Sequence, residues 1–153
     1  MDNGIWVVQA GAAPGGNWTR SVTPGEYATG EHAYQAAKAT TEADHLMIAL
    51  SPTPGDSKAF GNTCDIRSDW EQVKVEIMRK VIAAKFPFDK DHTLSLRLVN
   101  TGTAVLIEGT NWNDKVWGVA FDREKHQIEG RNLLGVLLME RRGVLHAVAR
   151  GLL

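Results

Sequence analysis

The chain has 153 residues, of which 43% are hydrophobic, and a formal net charge of −1 at pH 7. This length and apolar content suffice for a compact globular protein with its own core, so no disulfide or metal is needed to hold the fold. The near-neutral charge excludes strong electrostatic capture of nucleic acid, and a nucleic-acid substrate would need recognition by a local pocket. We expect a single domain over residues 1–153.

Two short strands and a series of helices are predicted in the first part of the chain. The strands cover residues 5–8 and 18–22, with a Gly/Pro-rich loop at 11–17 between them and a turn at Pro24. Helical patterns follow at 30–40, 42–50, 57–60 (a single turn) and 69–85. Ser68 and Glu71 have the spacing of a capping box for the last of these helices.

In the second part of the chain, predicted helices and strands alternate less regularly. We expect a helix at 91–100, a buried β-branched strand at 103–108, a loop and strand at 112–121, and a final helix at 132–151. Gly143 is expected to permit a kink there, since a helical glycine costs roughly 1 kcal/mol relative to alanine. The pattern predicts an α+β fold, helix-rich with a small β-sheet, and not a doubly wound one.

Targeting signals and reactive cysteine pairs are absent from the sequence. No basic segment precedes an apolar run at the amino terminus, and no run is long enough to span a membrane. Cys64 is the only cysteine, which excludes an internal disulfide. These features predict a soluble cytoplasmic protein with no membrane contact.

The first predicted helix carries the most informative residues. With Thr29 as its cap, it aligns polar side chains at i, i+3, i+4 and i+7, namely Glu31, Tyr34, Gln35 and Lys38. Ala33, Ala36 and Ala37 occupy the opposite side. This polar row is either a site facing a cleft or a solvated stripe, and the spacing alone does not decide between them.

The polar row has the groups needed to stabilise a positive charge. A nearby ammonium at Lys38 favours the ionised form of Glu31, and an ionised carboxylate can stabilise or attack a cationic carbon. Two charges about 4 Å apart interact by roughly 4 kcal/mol at an effective dielectric near 20, which corresponds to about a thousandfold in rate.

Two further segments suggest ligand contacts. Residues 111–118 combine a carboxylate and amides with Trp112 and Trp117, whose faces could stack a nucleobase at about 1–3 kcal/mol each or fill the core instead. Residues 130–132 enter a helix whose first backbone N–H groups could dock an anion, although many helices begin in this way.

Common catalytic signatures are missing. The chain has no phosphate-binding or dinucleotide-binding glycine motif, no His-Glu-x-x-His and no Gly-x-Ser-x-Gly. Its five histidines show no metal-ligand spacing. We expect no metal and no cofactor.

Six segments, in order along nearly the whole chain, resemble motifs of the NADAR (YbiA-like) family. They are Glu31-His32 with Gln35-Ala36 and Lys38; Ser57-Lys58-Ala59-Phe60-Gly61; Asp69-Trp70 with Val73-Lys74, Met78 and Lys85-Phe86; Thr101-Gly102 with Leu106-Ile107-Glu108; Asp114 with Trp117-Gly118; and Gly130, Asn132 and Leu134-Gly135 with Leu138-Met139. Two places differ from the family pattern: Gly16-Asn17-Trp18 keeps only part of its early aromatic loop, and residues 122–129 form a polar insertion.

The resemblance implies a compact, helix-rich α+β domain that cleaves an N-glycosidic bond to ribose. Some family members hydrolyse early riboflavin-pathway intermediates. Others remove ADP-ribose from guanine in DNA and act as antitoxins against DNA ADP-ribosyltransferases. The implied ligand is ADP-ribose or a ribosylated base, and the implied partners are ADP-ribosylated DNA, bound through a local pocket, and a cognate ADP-ribosyltransferase toxin.

The resemblance also implies roles for individual residues. Glu31 is the expected catalytic carboxylate at the anomeric carbon, and Asp114 is the expected second carboxylate, orienting water or holding a ribose hydroxyl. The substrate-binding residues are Asn17, Trp18, His32, Gln35, Lys38, Trp70, Trp117, Gly118 and Asn132.

Three functions compete at this point. We favour an ADP-ribosyl-guanine hydrolase, because a short chain without extra domains suits a toxin-neutralising role. A hydrolase of ribosylaminopyrimidine intermediates of riboflavin synthesis is the alternative enzyme. A non-catalytic ADP-ribose or NAD binding module is less favoured, because Glu31, Asp114 and Asn132 are all present.

Overall fold

The computed structural model of the chain describes residues 6–11, 19–24, 27–89, 91–110, 113–122 and 124–153, with the backbone alone at 6–11, 19–24 and 121. It divides into two compact units, Met1–Lys85 and Phe86–Leu153. Of the predicted loop at 11–17, Gly11 ends the first strand, and residues 12–17, which include Asn17, lie outside the described residues. Trp18 and Trp112 also lie outside them. The expectation of a single domain stays a prediction, and each unit is described by itself.

The first unit has a strand pair followed by four helices. Strands β1 and β2 are antiparallel, with Trp6 opposite Pro24 and Gly11 opposite Thr19. The elements in chain order are β1 (Trp6–Gly11), β2 (Thr19–Pro24), α1 (Gly30–Ala36), α2 (Glu42–Ala49), α3 (Pro54–Thr63) and α4 (Trp70–Lys85).

Threonine caps begin three of these helices. The side-chain oxygens of Thr29, Thr41 and Thr53 each accept a hydrogen bond from the N–H three residues on. The third cap, with a proline at the first helical position, makes α3 a ten-residue helix where a single turn was expected. Helix α1 is shorter than expected and ends at Ala36, so Lys38 lies in the turn after it.

Helix α1 lies at the centre of the first unit, packed against α2, α3 and α4. Ala33 and Ala36 are fully buried, as predicted for the small-residue side of the helix. A buried histidine ties α2 to the end of α1: the His45 Nδ1 donates to the Ala36 carbonyl at 2.9 Å, and its Nε2 lies 2.6 Å from the Tyr27 hydroxyl. The polar row is thereby fixed on a rigid element.

The described residues of the second unit form two helices and a three-stranded sheet. Strand β3 is parallel to β4, and β4 is antiparallel to β5. Helix α6 packs on α5 around the buried side chains of Leu98, Leu137 and Leu145, and it continues through Gly143 without a break. The elements are α5 (Thr93–Val99), β3 (Gly109–Thr110), β4 (Val119–Asp122), β5 (Gln127–Glu129) and α6 (Leu133–Ala149).

The predicted buried strand at 103–108 is wrong. Val105 is 72% exposed and Ile107 is 55% exposed, and only Gly109–Thr110 forms strand β3. Side chains replace strand pairing here: Asn132 bonds the backbone at Leu106 and Glu108. The β-branched composition gave the strand prediction, but it carries no information on which backbone partner is present.

The α+β class, rich in helices with a small sheet, is confirmed. Within the described residues, no helix is both long enough and apolar enough to cross a bilayer.

Candidate active site

The polar row of α1 is not a solvated stripe. Gln35 is 4% exposed, Lys38 is 7% exposed and Tyr34 is 6% exposed, while Glu31 is partly exposed. A surface stripe would leave such long polar side chains in water. The structure therefore favours a site at the Glu31 end of this row.

Glu31 and Gln35 are joined by a direct hydrogen bond. The Gln35 Nε2 donates to the Glu31 Oε1 at 2.7 Å, across one helical turn. An amide donor is complementary to an ionised carboxylate, which can only accept hydrogen bonds. The bond holds one carboxylate oxygen, and the Glu31 side chain remains partly exposed.

Lys38 follows in the turn after α1, and α3 and α4 supply its contacts. Its Nζ donates to the Asn62 Oδ1 at 3.1 Å and lies 5.8 Å from the centre of the Trp70 ring, a cation–π distance. Burial lowers the pKa of Lys38 from its ordinary value; the Glu31 carboxylate opposes that lowering, and the nearby Lys58 adds to it. The charges of Glu31 and Lys58 thus both act on the buried Lys38 ammonium.

Trp70 forms a wall of this cluster. It is 8% exposed, and its ring lies 5.1 Å from that of Tyr34 in a tilted arrangement. The indole contacts Tyr34 and Lys38, so most of its surface is already covered. Its role in stacking a substrate stays a prediction, with little exposed area to support it.

His32 has a structural environment. It is 1% exposed, its Nδ1 lies 2.8 Å from the Thr29 hydroxyl, and its Nε2 lies 3.1 Å from the Ser51 carbonyl oxygen. Both ring nitrogens therefore have protein partners. These contacts tie the cap of α1 to the end of α2, and they do not support the predicted role of His32 in substrate binding.

In the second unit, Asp114 organises a turn. Its Oδ1 accepts hydrogen bonds from the backbone N–H groups of Val116 at 3.0 Å and Trp117 at 2.9 Å. This is the arrangement of an Asx turn, in which a carboxylate orders the next residues. The predicted role of Asp114 as the second catalytic carboxylate stays a prediction, since one of its oxygens already has this structural task.

The predicted anion site at the start of the last helix is wrong. The N–H groups of residues 131, 132, 133 and 134 donate to the carbonyl oxygens of residues 115, 118, 116 and 117, respectively, at 2.8–3.2 Å. These N–H groups are therefore not available to a phosphate. Residues 131–134 instead pair the start of α6 with the turn after Asp114.

Asn132 is also used inside the second unit. Its Oδ1 accepts from the Glu108 N–H at 3.0 Å, and its Nδ2 donates to the Leu106 carbonyl at 2.8 Å. Its backbone has φ = 50°, a left-handed conformation that asparagine tolerates better than most residues. Asn132 thus acts as a substitute for a neighbouring strand, and these bonds do not support the predicted contact with substrate.

Glycines allow close backbone approach around this turn. A Cβ on Gly118 would lie 2.6 Å from the Thr110 Cγ2, and one on Gly135 would lie 2.5 Å from the Asn132 amide. Gly130 has φ = 147°. Gly118 therefore has a packing role here, whereas its predicted contact with substrate remains a prediction.

Two residues of the first site were missed by sequence reasoning, Gly61 and Asn62 of α3. Gly61 was visible only as the last position of a family-like segment, without a role. Asn62 gave no signal, because its contact with Lys38 depends on how two helices pack. Among the described residues, no group of three or more His, Cys, Asp or Glu side chains could hold a metal ion.

Comparison with known proteins places the chain in a family. The family model described as "NADAR domain" matches residues 11–146. The chain belongs to the NADAR family. N-glycosidase YbiA of Escherichia coli (strain K12) is 33% identical over 127 residues, which cover 82% of this chain and 74% of that protein. These findings identify this NADAR chain as an enzyme of the N-glycosidase type.

A solved structure supports the same fold assignment. The NMR structure of Escherichia coli YbiA has a TM-score of 0.67 and 34% identity to this chain, covering 80% of it and 70% of the YbiA chain. A second relative is the maize protein named "Riboflavin biosynthesis protein PYRR, chloroplastic". It is 32% identical over 126 residues, covering 74% of this chain and 19% of the maize protein.

Proposed function

We propose that this NADAR enzyme hydrolyses the bond between ribose and guanine in ADP-ribosylated DNA, with Glu31 as its catalytic carboxylate. The observation that carries the proposal is the polar row: a partly exposed carboxylate, bonded to the buried Gln35 amide, close to the buried ammonium of Lys38. Such an enzyme reverses the product of a DNA ADP-ribosyltransferase, the partner that the family resemblance implies.

The chemistry follows from the charge of Glu31. As the C1′–N bond breaks, its electron pair leaves with the nitrogen and the ribose carbon gains positive charge. The carboxylate stabilises this carbon, or bonds to it and is then displaced by water, as in sugar hydrolysis. In either route a water oxygen ends on C1′, and a water proton goes to the departing base. Stabilisation of roughly 4 kcal/mol corresponds to about a thousandfold in rate.

The two lysines support a phosphorylated substrate. The charge of Lys58 contributes to the lowered pKa of Lys38, so the two ammonium groups are close. Two ammonium groups favour an anionic ligand. ADP-ribose brings a diphosphate, and a local cluster of this kind can bind it although the whole chain is near neutral.

A second candidate substrate has its own support. The maize relative is named as a riboflavin biosynthesis protein, and ribosylaminopyrimidine phosphates of that pathway also contain a ribose–nitrogen bond and a phosphate. The same residues would act on the same type of bond. The two candidates differ in the base and in the size of the phosphorylated part.

One experiment tests both the carboxylate and the substrate. The purified chain is given either an oligonucleotide carrying ADP-ribosylated guanine or a ribosylaminopyrimidine phosphate, and products are identified by mass. We expect free ADP-ribose from the oligonucleotide. Glu31→Gln should reduce kcat by about a thousandfold without changing the unfolding midpoint.

The matched control is Glu71→Gln, which removes an exposed α4 carboxylate paired with Lys74. It should keep full activity. A Glu31→Gln protein with normal turnover would exclude the proposed mechanism. Turnover of the ribosylaminopyrimidine phosphate alone would replace the DNA substrate by the second candidate, and saturable ADP-ribose binding without any product would indicate a binding module.

A further inference from the structure

Gln35 contains a buried polar atom that the fold does not satisfy. Its Nε2 donates to Glu31, but its Oε1 is buried and has no hydrogen-bond partner among the described residues. Buried acceptors are nearly always paired, because leaving one unpaired costs free energy. An apolar side chain at this position would avoid that cost, so the glutamine requires an explanation other than packing.

Gly61 of α3 makes room for this amide. A Cβ placed on Gly61 would lie 3.0 Å from the Gln35 Cβ, 3.2 Å from its Cδ and closer still to its Oε1. Side chains do not approach that closely, so any larger residue at 61 would displace the Gln35 side chain. The backbone of α3 is therefore the surface that sets the position of the amide.

The orientation of the Gln35 amide follows from what its nitrogen and its oxygen each face. Turned over, the amide would present its oxygen to the Glu31 carboxylate, where two acceptors repel, and its NH₂ group to the helix surface at Gly61. The observed direction is the one that suits an ionised Glu31. The unpaired oxygen is thus the consequence of placing a donor on the carboxylate.

We infer that Gln35 is a positioning residue for the Glu31 carboxylate and that Gly61 acts through Gln35. The inference rests on the role of Glu31 proposed above. It differs from the expectation of the family resemblance, in which Gln35 contacts the substrate. At 4% exposed, Gln35 acts on the reaction through Glu31, which is partly exposed.

A double-mutant cycle tests this inference by steady-state kinetics. Gln35→Ala removes the donor, and Gly61→Ala pushes the amide away while keeping it. Each change should lower kcat by about tenfold with KM nearly unchanged, since transition-state stabilisation alone is lost. Combined, the two should cost about as much as Gln35→Ala alone, because Gln35→Ala removes the Oε1 and Cδ that the new methyl group would meet. The Cβ that remains at 35 would lie 3.0 Å from that methyl group, which a shift of a few tenths of an ångström relieves.

Gly55→Ala on the same helix is the matched control. Its new Cβ would be 3.6 Å from the Thr53 Oγ1, an ordinary contact, and wild-type kcat is expected. Additive losses, or a rise in KM for Gln35→Ala with kcat unchanged, would overturn the inference. If Gly61→Ala alone does not fold, recovery of folding in the double variant supports the steric coupling, and failure of the double variant to fold contradicts it.

The cycle is separate from the test of the proposed function. A fully active Glu31→Gln protein removes both the catalytic role of Glu31 and the inference, while the activity itself stands. An inactive Glu31→Gln protein together with additive losses in the cycle removes the inference only.

Discussion

Both units contain residues that match the family motifs, but they use them differently. In the first unit, the matched residues of α1 place charged and polar side chains around a partly exposed carboxylate. Two buried polar atoms, the Gln35 Oε1 and the Ser57 Oγ, have no hydrogen-bond partner among the described residues. In the second unit, the matched residues make hydrogen bonds to the backbone of the same unit. These residues are Asn132 and Asp114, through their side chains, and 131–134, through their N–H groups. A shared motif therefore indicates chemistry in one region and backbone geometry in the other.

The contrast shows how to recognise a site among motif residues. A polar side chain whose hydrogen bonds are all made to the backbone stabilises the fold. Its removal is expected to lower the free energy of unfolding. A polar side chain that hydrogen-bonds another functional group, while one of its own polar atoms stays unpaired, is expected to change kcat or KM when it is replaced. The four predictions below test this difference.

The largest effect is expected at the tight turn of the second unit. Gly130→Ala places a Cβ 2.8 Å from the Val119 Cα, and closer still to the Gly118 carbonyl, at φ = 147°. Unfolding in urea, followed by circular dichroism, should show a loss of roughly 3 kcal/mol. Gly102→Ala is the control: its φ is 59° with no atom within 4 Å among the described residues, and it should lose only about 1 kcal/mol. Equal losses would contradict the close-approach argument.

Asp114 offers a test that separates structure from charge. Asp114→Ala leaves the Val116 and Trp117 N–H groups without their acceptor and should cost about 2 kcal/mol in urea unfolding. Asp114→Asn keeps the accepting Oδ1 and should be nearly as stable as the wild type. If the stable Asn variant has also lost turnover, Asp114 is needed as a carboxylate. If it turns over normally, the predicted catalytic role is wrong.

Lys38 belongs to the first unit, where binding should change more than stability. Lys38→Met keeps the aliphatic stem and removes an ammonium whose burial lowers its pKa. We expect the KM for the phosphorylated substrate to rise by about tenfold, with an unfolding midpoint close to wild type. Lys74→Met on α4 removes another partly buried lysine, whose partner is Glu71, and should leave KM unchanged. A large loss of stability at Lys38 would instead mark it as a structural residue.

The smallest effect is expected at Glu129 on β5. Lys115 and Lys125 lie 2.7 and 2.9 Å from its oxygens and lower the pKa of Glu129 from 4.5 to about 2. Because the folded pKa is the lower one, this stabilisation is present above pH 4.5 and disappears as the pH falls toward about 2. Glu129→Gln should flatten the pH dependence of the urea midpoint in that range. The difference in urea midpoint between Glu129→Gln and the wild type should become smaller in high salt, since these charged groups are exposed.

The helices and the polar row could be predicted because their signals are local. Caps such as Thr29 and the apolar repeat of α4 depend on residues within a few positions. The strand at 103–108 and the anion site at 130–132 were wrong for the opposite reason. The structure of these two segments depends on hydrogen-bond partners many residues away, such as Asn132 for Leu106. Those partners cannot be deduced from the composition of the segment. The burial of Gln35 and the space at Gly61 likewise depend on the packing of two helices.

The two buried histidines of the first unit must hold their protons on different nitrogens. A carbonyl oxygen only accepts, so neutral His32 has its proton on Nε2, facing Ser51, whereas neutral His45 has it on Nδ1, facing Ala36. The opposite tautomers should give two distinct imidazole ¹⁵N patterns in one NMR spectrum. The two tautomers also predict which amide substitutions keep the hydrogen bond to the carbonyl oxygen. His32→Gln places its NH₂ group where Nε2 was, and His45→Asn places its NH₂ group where Nδ1 was.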